Sequence, residues 1–339
     1  MTTTAHILPE ISLKKAIQDN LYLHGNFSLA YHTLQPQLSH FVTKEGYIAY
    51  IEFRNETIVL GDPIADESQF ENIINQFLMQ RPTCSFIQAG ANVARILSKR
   101  NFSVDCFGVE SQIALPYQMH GKQKREIRNL TNVAKKKNVI IKEVFNRNLL
   151  FKNSVQEQKN KFEIIFPFNS KREYSFLSRP LTDSDEFGVR IFGGYVENQL
   201  ICYSVFDPIY QNEKIIGYAE SIARQSSSAI KGARTYTLIE AMKQFTREEI
   251  TFVNIGLLPF YVEGVSNEFE KYSNLIVAKI FSMLYKSSPL VSNFAGLSFH
   301  KSRYRGKHIP KYFISNAKKK HKVLLSIYQL TTGKKIPLI

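Results

Sequence analysis

The sequence predicts a mixed α/β protein built as two units in series. Two observations give the class. Short apolar or aromatic runs of strand character alternate with segments whose apolar residues recur at helical spacing. Hydrophobic residues at 44% against 22% charged are the balance of an ordinary globular chain. A third gives the division: 339 residues are more than one core usually fills.

The elements follow in chain order. A helix with a mixed surface is expected from Pro9 to Tyr22. "YIAYIEF" (Tyr47–Phe53) and "ETIVL" (Glu56–Leu60) read as a hairpin turning at Arg54-Asn55. "GDP" ends it, with Asp62 capping the turn into the next helix. That helix, Asp66–Leu78, carries Phe70, Ile73, Ile74, Phe77 and Leu78 on one face. "CSFIQA" is a strand, "ANVARILSKR" a helix, and "FSVDCFGVESQIAL" one or two strands. The segment "GKQKREIRNLTNVAKKKN" then reads as an amphipathic helix. Ile127, Leu130, Val133 and Ala134 share its apolar side, and Lys124, Arg125, Arg128, Lys135 and Lys136 lie mostly away from it.

The second unit opens on "VIIKEV" as a strand. "LLFKNSVQEQKNKF" reads as a helix, and "GVRIFGGYVENQLICYSVFDPIY" as a strand pair turning at Glu197-Asn198. "EKIIGYAESIA" is a strand, "ARTYTLIEAMKQF" a helix and "ITFVNIGLLPF" a strand. "NEFEKYSNLIVAKIFSMLYKS" reads as one long helix. The end, from "GLSFHK" to "SIYQL", reads as loop, helix and a last strand. The expected units are residues 1–120, a basic connector at 121–137, and 138–339.

Composition narrows the function. Cys84, Cys106 and Cys202 lie far apart and make no zinc spacing, and no H-E-x-x-H helix is present. There is no Walker loop and no G-x-G-x-x-G, so neither a metal nor a cofactor is expected. A net charge of +15 and a pI near 9.5 point to an anionic partner, either nucleic acid or lipid. The most apolar stretch, Ser273–Tyr285, is too short to span a bilayer and is broken by Lys279. No signal peptide is visible, so the expected location is the cytoplasm, with peripheral contact at the inner face of an anionic membrane.

Four segments in order carry a family resemblance: "VLGDPI", "KREIRNLTNVAKKKN", "VNIGLLPF" and "FAGLSFHKSRYRGKHIPKYFISN". Over about Tyr47 to Asn316 the chain resembles the C-terminal catalytic domain of bacterial lysylphosphatidylglycerol synthases. The resemblance implies two GNAT-type acyltransferase lobes in tandem, joined by a basic helix. It implies transfer of an amino acid from aminoacyl-tRNA to a hydroxyl or amine acceptor. Lipid-modifying members usually carry a membrane-spanning region ahead of this domain, and no such stretch is seen here. The donor expectation is therefore the firmer one, and the acceptor is left as a lipid or a small amine or alcohol.

Such a transfer needs a base, an oxyanion donor and cations for phosphate. In "GYAESIARQSS" the resemblance points to Glu220, which would bind the donor's ammonium or act as base, and to Arg224, which would fork onto a phosphate or ribose. In "VNIGLLPF" it points to Asn254 as an oxyanion or ribose donor and to Gly256 for close backbone approach. In "FHKSRYRGKH" it points to His300, Lys301 and Arg303 for substrate. The tRNA phosphates would meet Lys122, Lys124, Arg125, Arg128, Lys135 and Lys136, together with Lys318, Lys319 and Lys320. Coenzyme A is not expected: in "RQSSSAIKGAR" Ser227 stands where a pyrophosphate loop needs its first glycine, and Gly232 comes too late. Two further readings stay open: the same fold with an acyl-thioester donor such as an acyl carrier protein, or a non-catalytic module binding tRNA or an anionic membrane.

Overall fold

The computed structural model describes residues 10–145, 162–164, 174–182, 186–227, 229–263, 268–286 and 294–334. The first half runs α1 (Glu10–His24), β1 (Ser39–Thr43), β2 (Gly46–Phe53), β3 (Glu56–Leu60), β4 (Ile64–Ala65), α2 (Phe70–Gln80), β5 (Ser85–Ala89), α3 (Ala91–Ser98) and β6 (Ser103–Ala114). The basic helix α4 (Arg125–Lys136) and β7 (Ile140–Glu143) follow, then β8 (Phe162–Ile164), β9 (Arg190–Val196), β10 (Gln199–Gln211) and β11 (Lys214–Ser226). The rest is α5 (Ala233–Arg247), β12 (Phe252–Pro259), α6 (Leu275–Lys286), α7 (Phe294–Ser302), β13 (Lys307–Ser315) and α8 (Lys320–Thr332). The class is mixed α/β, as the alternation predicts. The helix expected at 149–162 lies outside the described residues except for its last position, which is in β8.

The strands join in one mixed sheet of order β1-β2-β3-β5-β13-β6-β12-β11-β10-β9-β7, with β4 on β2 and β8 on β11. Sheet order departs from chain order at β13 and again after β6, which is followed by β12 and then by the second-half strands in reverse. Strand β13 inserts between β5 and β6, antiparallel to both, so residues near the C-terminus complete the sheet built by the first third of the chain. Two tight turns are where the dipeptides put them, and a third, at 212–213, joins β10 to β11. Arg54-Asn55, Glu197-Asn198 and Asn212-Glu213 all take positive φ, which matches the twist of two-residue hairpins.

Alternation along the strands separates two core layers in the first half. Ile58, Leu60 and Phe313 face α1, α6 and α8, whereas Val59 and Ile314 face α2 and α3. The second half is covered by α5, whose Leu238, Ile239, Met242 and Phe245 pack on Phe192, Phe206 and Tyr218. Helix α4 lies against α5. Its buried stripe is Ile127, Thr131 and Ala134, while Val133, expected inside, is 39% exposed. Positions 127, 131 and 134 are spaced by four and three residues; Val133 falls off that line.

Two other expectations are corrected. The long helix expected from Asn267 starts late, after a 3₁₀ turn at Glu270–Tyr272. Asp105 accepts from the Ser273 hydroxyl and the Asn274 N–H, both at 2.8 Å. Asn274 then caps α6 by accepting from the N–H groups of Ile276 and Val277. At the end of the chain the order is helix, strand, helix, not loop, helix, strand. "KHKVLLSIYQLTT" is α8: among its buried positions Val323, Ser326 and Ile327 are spaced for a helix, and Gln329 and Thr332 are buried with them.

Phe245 sits at the centre of the α5 core, stacked on Tyr218 at 4.3 Å and edge-on to Phe192 and Phe206. Phe245→Ala is expected to destabilise the fold by about 3–5 kcal/mol, through lost transfer energy and the cavity left behind. The urea-unfolding midpoint checks it.

Candidate active site

The site begins as a gap in the sheet. Strands β11 and β12 run parallel but pair only where Gly217–Ala219 meets Phe252–Asn254. Beyond that point β12 follows β6 through a register shift between Asn254 and Leu257, while β11 stays with β10. The two strands diverge at Glu220 and Gly256, and a cavity of about 200 Å³ opens beside them.

Asn254 sets the divergence. It is 2% exposed, and both ends of its amide are engaged. Its Oδ1 accepts from the Gly256 N–H at 2.7 Å, and its Nδ2 donates to Glu110 Oε2 at 2.9 Å. Gly256 takes φ +82°, where a side chain would strain the backbone, and a Cβ there would lie 3.1 Å from Lys301 Nζ. The expected role of Asn254 as an oxyanion or ribose donor is therefore not what its contacts serve: it shapes the backbone that reaches the cavity. Glu110 on β6 is itself buried and accepts from Ser28 at 2.5 Å and from Gln88 at 2.7 Å. Lys311 Nζ stands 3.8 Å from its other oxygen.

Of the expected residues, Glu220, Gly256 and Lys301 line the cavity together. Glu220 accepts from the Ser204 hydroxyl at 2.8 Å. Lys301 comes from α7 and donates to the Leu257 carbonyl at 3.0 Å. Burial brings the Lys301 ammonium down to about 8, with Glu220 opposing that shift and Arg234 adding to it. Arg224 is buried on β11 and is not among the lining residues. His300 and Arg303 form a chain outward: Arg303 donates to His300 Nδ1 and pairs with Glu126 of α4. Burial, then Arg234, Arg303 and Lys301, push the His300 imidazole down to about 3, so it stays neutral at physiological pH. Asp62, expected to cap the following helix, instead accepts from the N–H of Gly90, the cap of α3. Asp66 caps the turn into α2.

The basic positions divide in two. Lys124 donates to the Gln118 carbonyl and lies 4.2 Å from the Tyr117 ring centre. Arg128 donates to the carbonyls of Met119 and Gly121. These two hold the loop that leads into α4. Lys122, Arg125, Lys135 and Lys136 are exposed. Lys318 and Lys319 are exposed ahead of α8, and Lys320 donates to the Ala317 carbonyl. The two clusters sit on different parts of the sheet, since α8 packs on β3 while α4 packs on α5.

The sequence reading missed a buried polar group at the cavity. His32 lines it, with Nδ1 3.7 Å from Asp207 Oδ2. Burial drives the His32 imidazole down to about 4, against the raising effect of Asp207. Burial also raises Asp207, but the two-pronged contact from Arg179 outweighs it and holds the carboxyl below its ordinary value. No local motif marks these residues; they meet only through the fold. The same cavity has an apolar part walled by Phe107, Phe260, Phe281, Phe294, Leu324 and Ile327. Three aromatic contacts close that wall: Phe260 meets Phe107, Phe281 and Phe294 at 5.0–5.4 Å.

Asn254→Ala is expected to cost about 1–3 kcal/mol, because Glu110 loses a donor while remaining buried. Asn254→Asp is expected to cost more, by placing a second carboxylate against Glu110. Denaturant unfolding of both variants checks the order.

The family model described as phosphatidylglycerol lysyltransferase, C-terminal, matches residues 19–315. No curated protein matches the chain. Among solved structures, L-PGS from Bacillus licheniformis is similar over 95% of this chain and 97% of its own, at 17% identity and a TM-score of 0.76. The C-terminal domain of a putative lysylphosphatidylglycerol synthetase from Agrobacterium fabrum is similar over 97% of this chain and 100% of its own, at 14% identity and 0.73. A conserved protein of unknown function from Bacteroides thetaiotaomicron follows at 10% identity and 0.56, over 91% of this chain and 98% of its own. At such low identities the TM-scores show a shared fold.

Proposed function

The chain belongs to the phosphatidylglycerol lysyltransferase C-terminal family, and from that premise we propose that it moves an aminoacyl group from aminoacyl-tRNA to a hydroxyl of a phosphatidylglycerol-type lipid. One observation supports this acceptor above a small amine or alcohol. The cavity that begins at Glu220 and Lys301 continues into a wall of phenylalanine, leucine and isoleucine. A small polar acceptor has no use for that wall, whereas a lipid carries its polar group and its apolar chain in this order.

The donor ester is already activated, so the protein must position, deprotonate and stabilise. The acceptor hydroxyl oxygen attacks the ester carbonyl carbon, and Glu220 takes its proton. Lys301, as an ammonium, stabilises the oxyanion of the tetrahedral intermediate. The bond from carbonyl carbon to ribose oxygen then breaks, and Glu220 returns the proton to that oxygen. The backbone at Gly256 leaves room for the reacting carbon. Arg234, whose Nε has no hydrogen-bond partner among the described residues, adds positive potential near His300 and Lys301 for a phosphate. The exposed cations of α4 and its approach, Lys122, Arg125, Lys135 and Lys136, suit the phosphates of the tRNA body.

Labelled amino acid on a set of charged tRNAs, incubated with phosphatidylglycerol, should pass to lipid, and ribonuclease should abolish the product. Absence of transfer from every charged tRNA would overturn the proposal. Ribonuclease-insensitive transfer from an acyl thioester would favour the other donor. Glu220→Gln is expected to lower kcat by about 10²–10⁴-fold, the usual contribution of a positioned base.

The pH dependence follows from Lys301. Its role needs the ammonium, and its proton is lost near pH 8 rather than near 10.5. Activity is therefore expected to fall as pH rises through about 8. Lys301→Arg, which keeps its charge, should move that fall upward even if the maximum rate drops. A kcat/KM profile from pH 6 to 10 checks both.

A further inference from the structure

Helix α6 is apolar on both of its sides. Inward, Val277 and Phe281 are buried in the core, and Phe281 and Leu284 wall the apolar part of the cavity. Outward, Leu275, Ile276 and Met283 are 77%, 64% and 61% exposed. Lys279, Ser282 and Lys286 complete the same outer stripe and, with Met283, border an open depression. Positions 275, 276, 279, 282, 283 and 286 recur at three- and four-residue spacing, which places them on one face. That outer stripe mixes large apolar groups with lysines, and a cluster of large exposed apolar groups on one short face marks an interaction surface.

We propose that the outer face of α6 docks this protein onto an anionic lipid bilayer. The helix lies in the plane of the interface, with Leu275, Ile276 and Met283 below the head groups and Lys279 and Lys286 among the phosphates. Charge selects this occupant. The helix "LIVAKIFSMLYK" has two lysines on its outer face and no acidic residue anywhere. A second copy pairing through the same face would set lysine against lysine with no carboxylate on the helix to receive them. Continuity with the cavity supports the same occupant. The side of α6 opposite the bilayer forms the cavity wall, so one helix thickness, about 10 Å, separates the apolar cavity from the acyl layer. Docking here would bring a lipid acceptor to the site without leaving the bilayer's surface. That role rests on the acceptor reading above; the docking itself is measured without it.

The test is co-sedimentation of the whole protein with vesicles of phosphatidylglycerol and phosphatidylcholine, or of phosphatidylcholine alone. Binding is expected to the anionic vesicles and to weaken with salt. The double variant K279E/K286E and the triple variant L275S/I276S/M283S are each expected to weaken it at least tenfold. All five side chains are substantially exposed, so unchanged urea midpoints should show that both variants fold. Transfer to a short-chain, monomeric phosphatidylglycerol should be unchanged in them, while transfer to vesicle lipid falls. Equal vesicle binding by variants and wild type would overturn the inference. So would a wild-type dimer in solution that the same substitutions disperse. Vesicle binding that is lost in the variants, in a protein that transfers to no acceptor at all, would support the docking face and count against the proposed reaction alone.

Discussion

A carboxylate buried away from water must be surrounded by partners, and Glu110 takes three donors and one cation from four distant parts of the chain. Ser28 comes from the loop after α1, Gln88 from β5, Asn254 from β12, and Lys311 from β13. Meeting that one requirement fixes the neighbours of β6 on both sides. It also holds Asn254 in the pose that turns Gly256 out of the ladder. The gap between β11 and β12, and so the site, depends on a charge that the substrate never has to meet. Gln88 reaches Glu110 from a backbone with φ +58°, a conformation that non-glycine residues rarely hold unless surrounding contacts impose it.

The cavity joins two kinds of chemistry. At one end Glu220 and Lys301 supply opposite charges with few competing partners; at the other, aromatic edges and faces exclude water. The link from Arg303 to Glu126 ties the helix that carries Lys301 to the basic helix α4. The same contact places Lys301 and the exposed cations of α4 on connected elements.

Much of the local structure was legible in the sequence, because its signals are local. The helical spacing of Phe70, Ile73, Ile74 and Phe77 and the turn residues at 54–55 and 197–198 needed no knowledge of the fold. Glu220, Gly256 and Lys301 were reached only through the family resemblance, and the fold brings them to one cavity. What could not be read is what depends on distant partners. Asn254 meets Glu110 across 144 positions, so nothing local shows that its amide serves a buried carboxylate and the Gly256 backbone. His32 and Asp207 share no motif. The run "KVLLSIYQL" is short and apolar enough to pass for a strand, and only burial of every third or fourth residue shows it to be α8. The insertion of β13 leaves no trace in a chain read in order.

That insertion has a consequence for how the molecule comes into being. Strands β5 and β6 are made early, but the strand that belongs between them ends at Ser315. At ribosomal rates of about 5–20 residues per second, roughly 10–40 s pass between the emergence of Ala114 and that of Ser315. For that interval the first third of the chain carries two open edges facing a missing strand, one of them on β5, where Phe86 and Ile87 end up wholly buried. Completion of the sheet around β5 and β6 thus waits for a strand far downstream in the chain. Until that strand arrives the two edges stay open to other partners, and the sheet is completed by closing a seam within it.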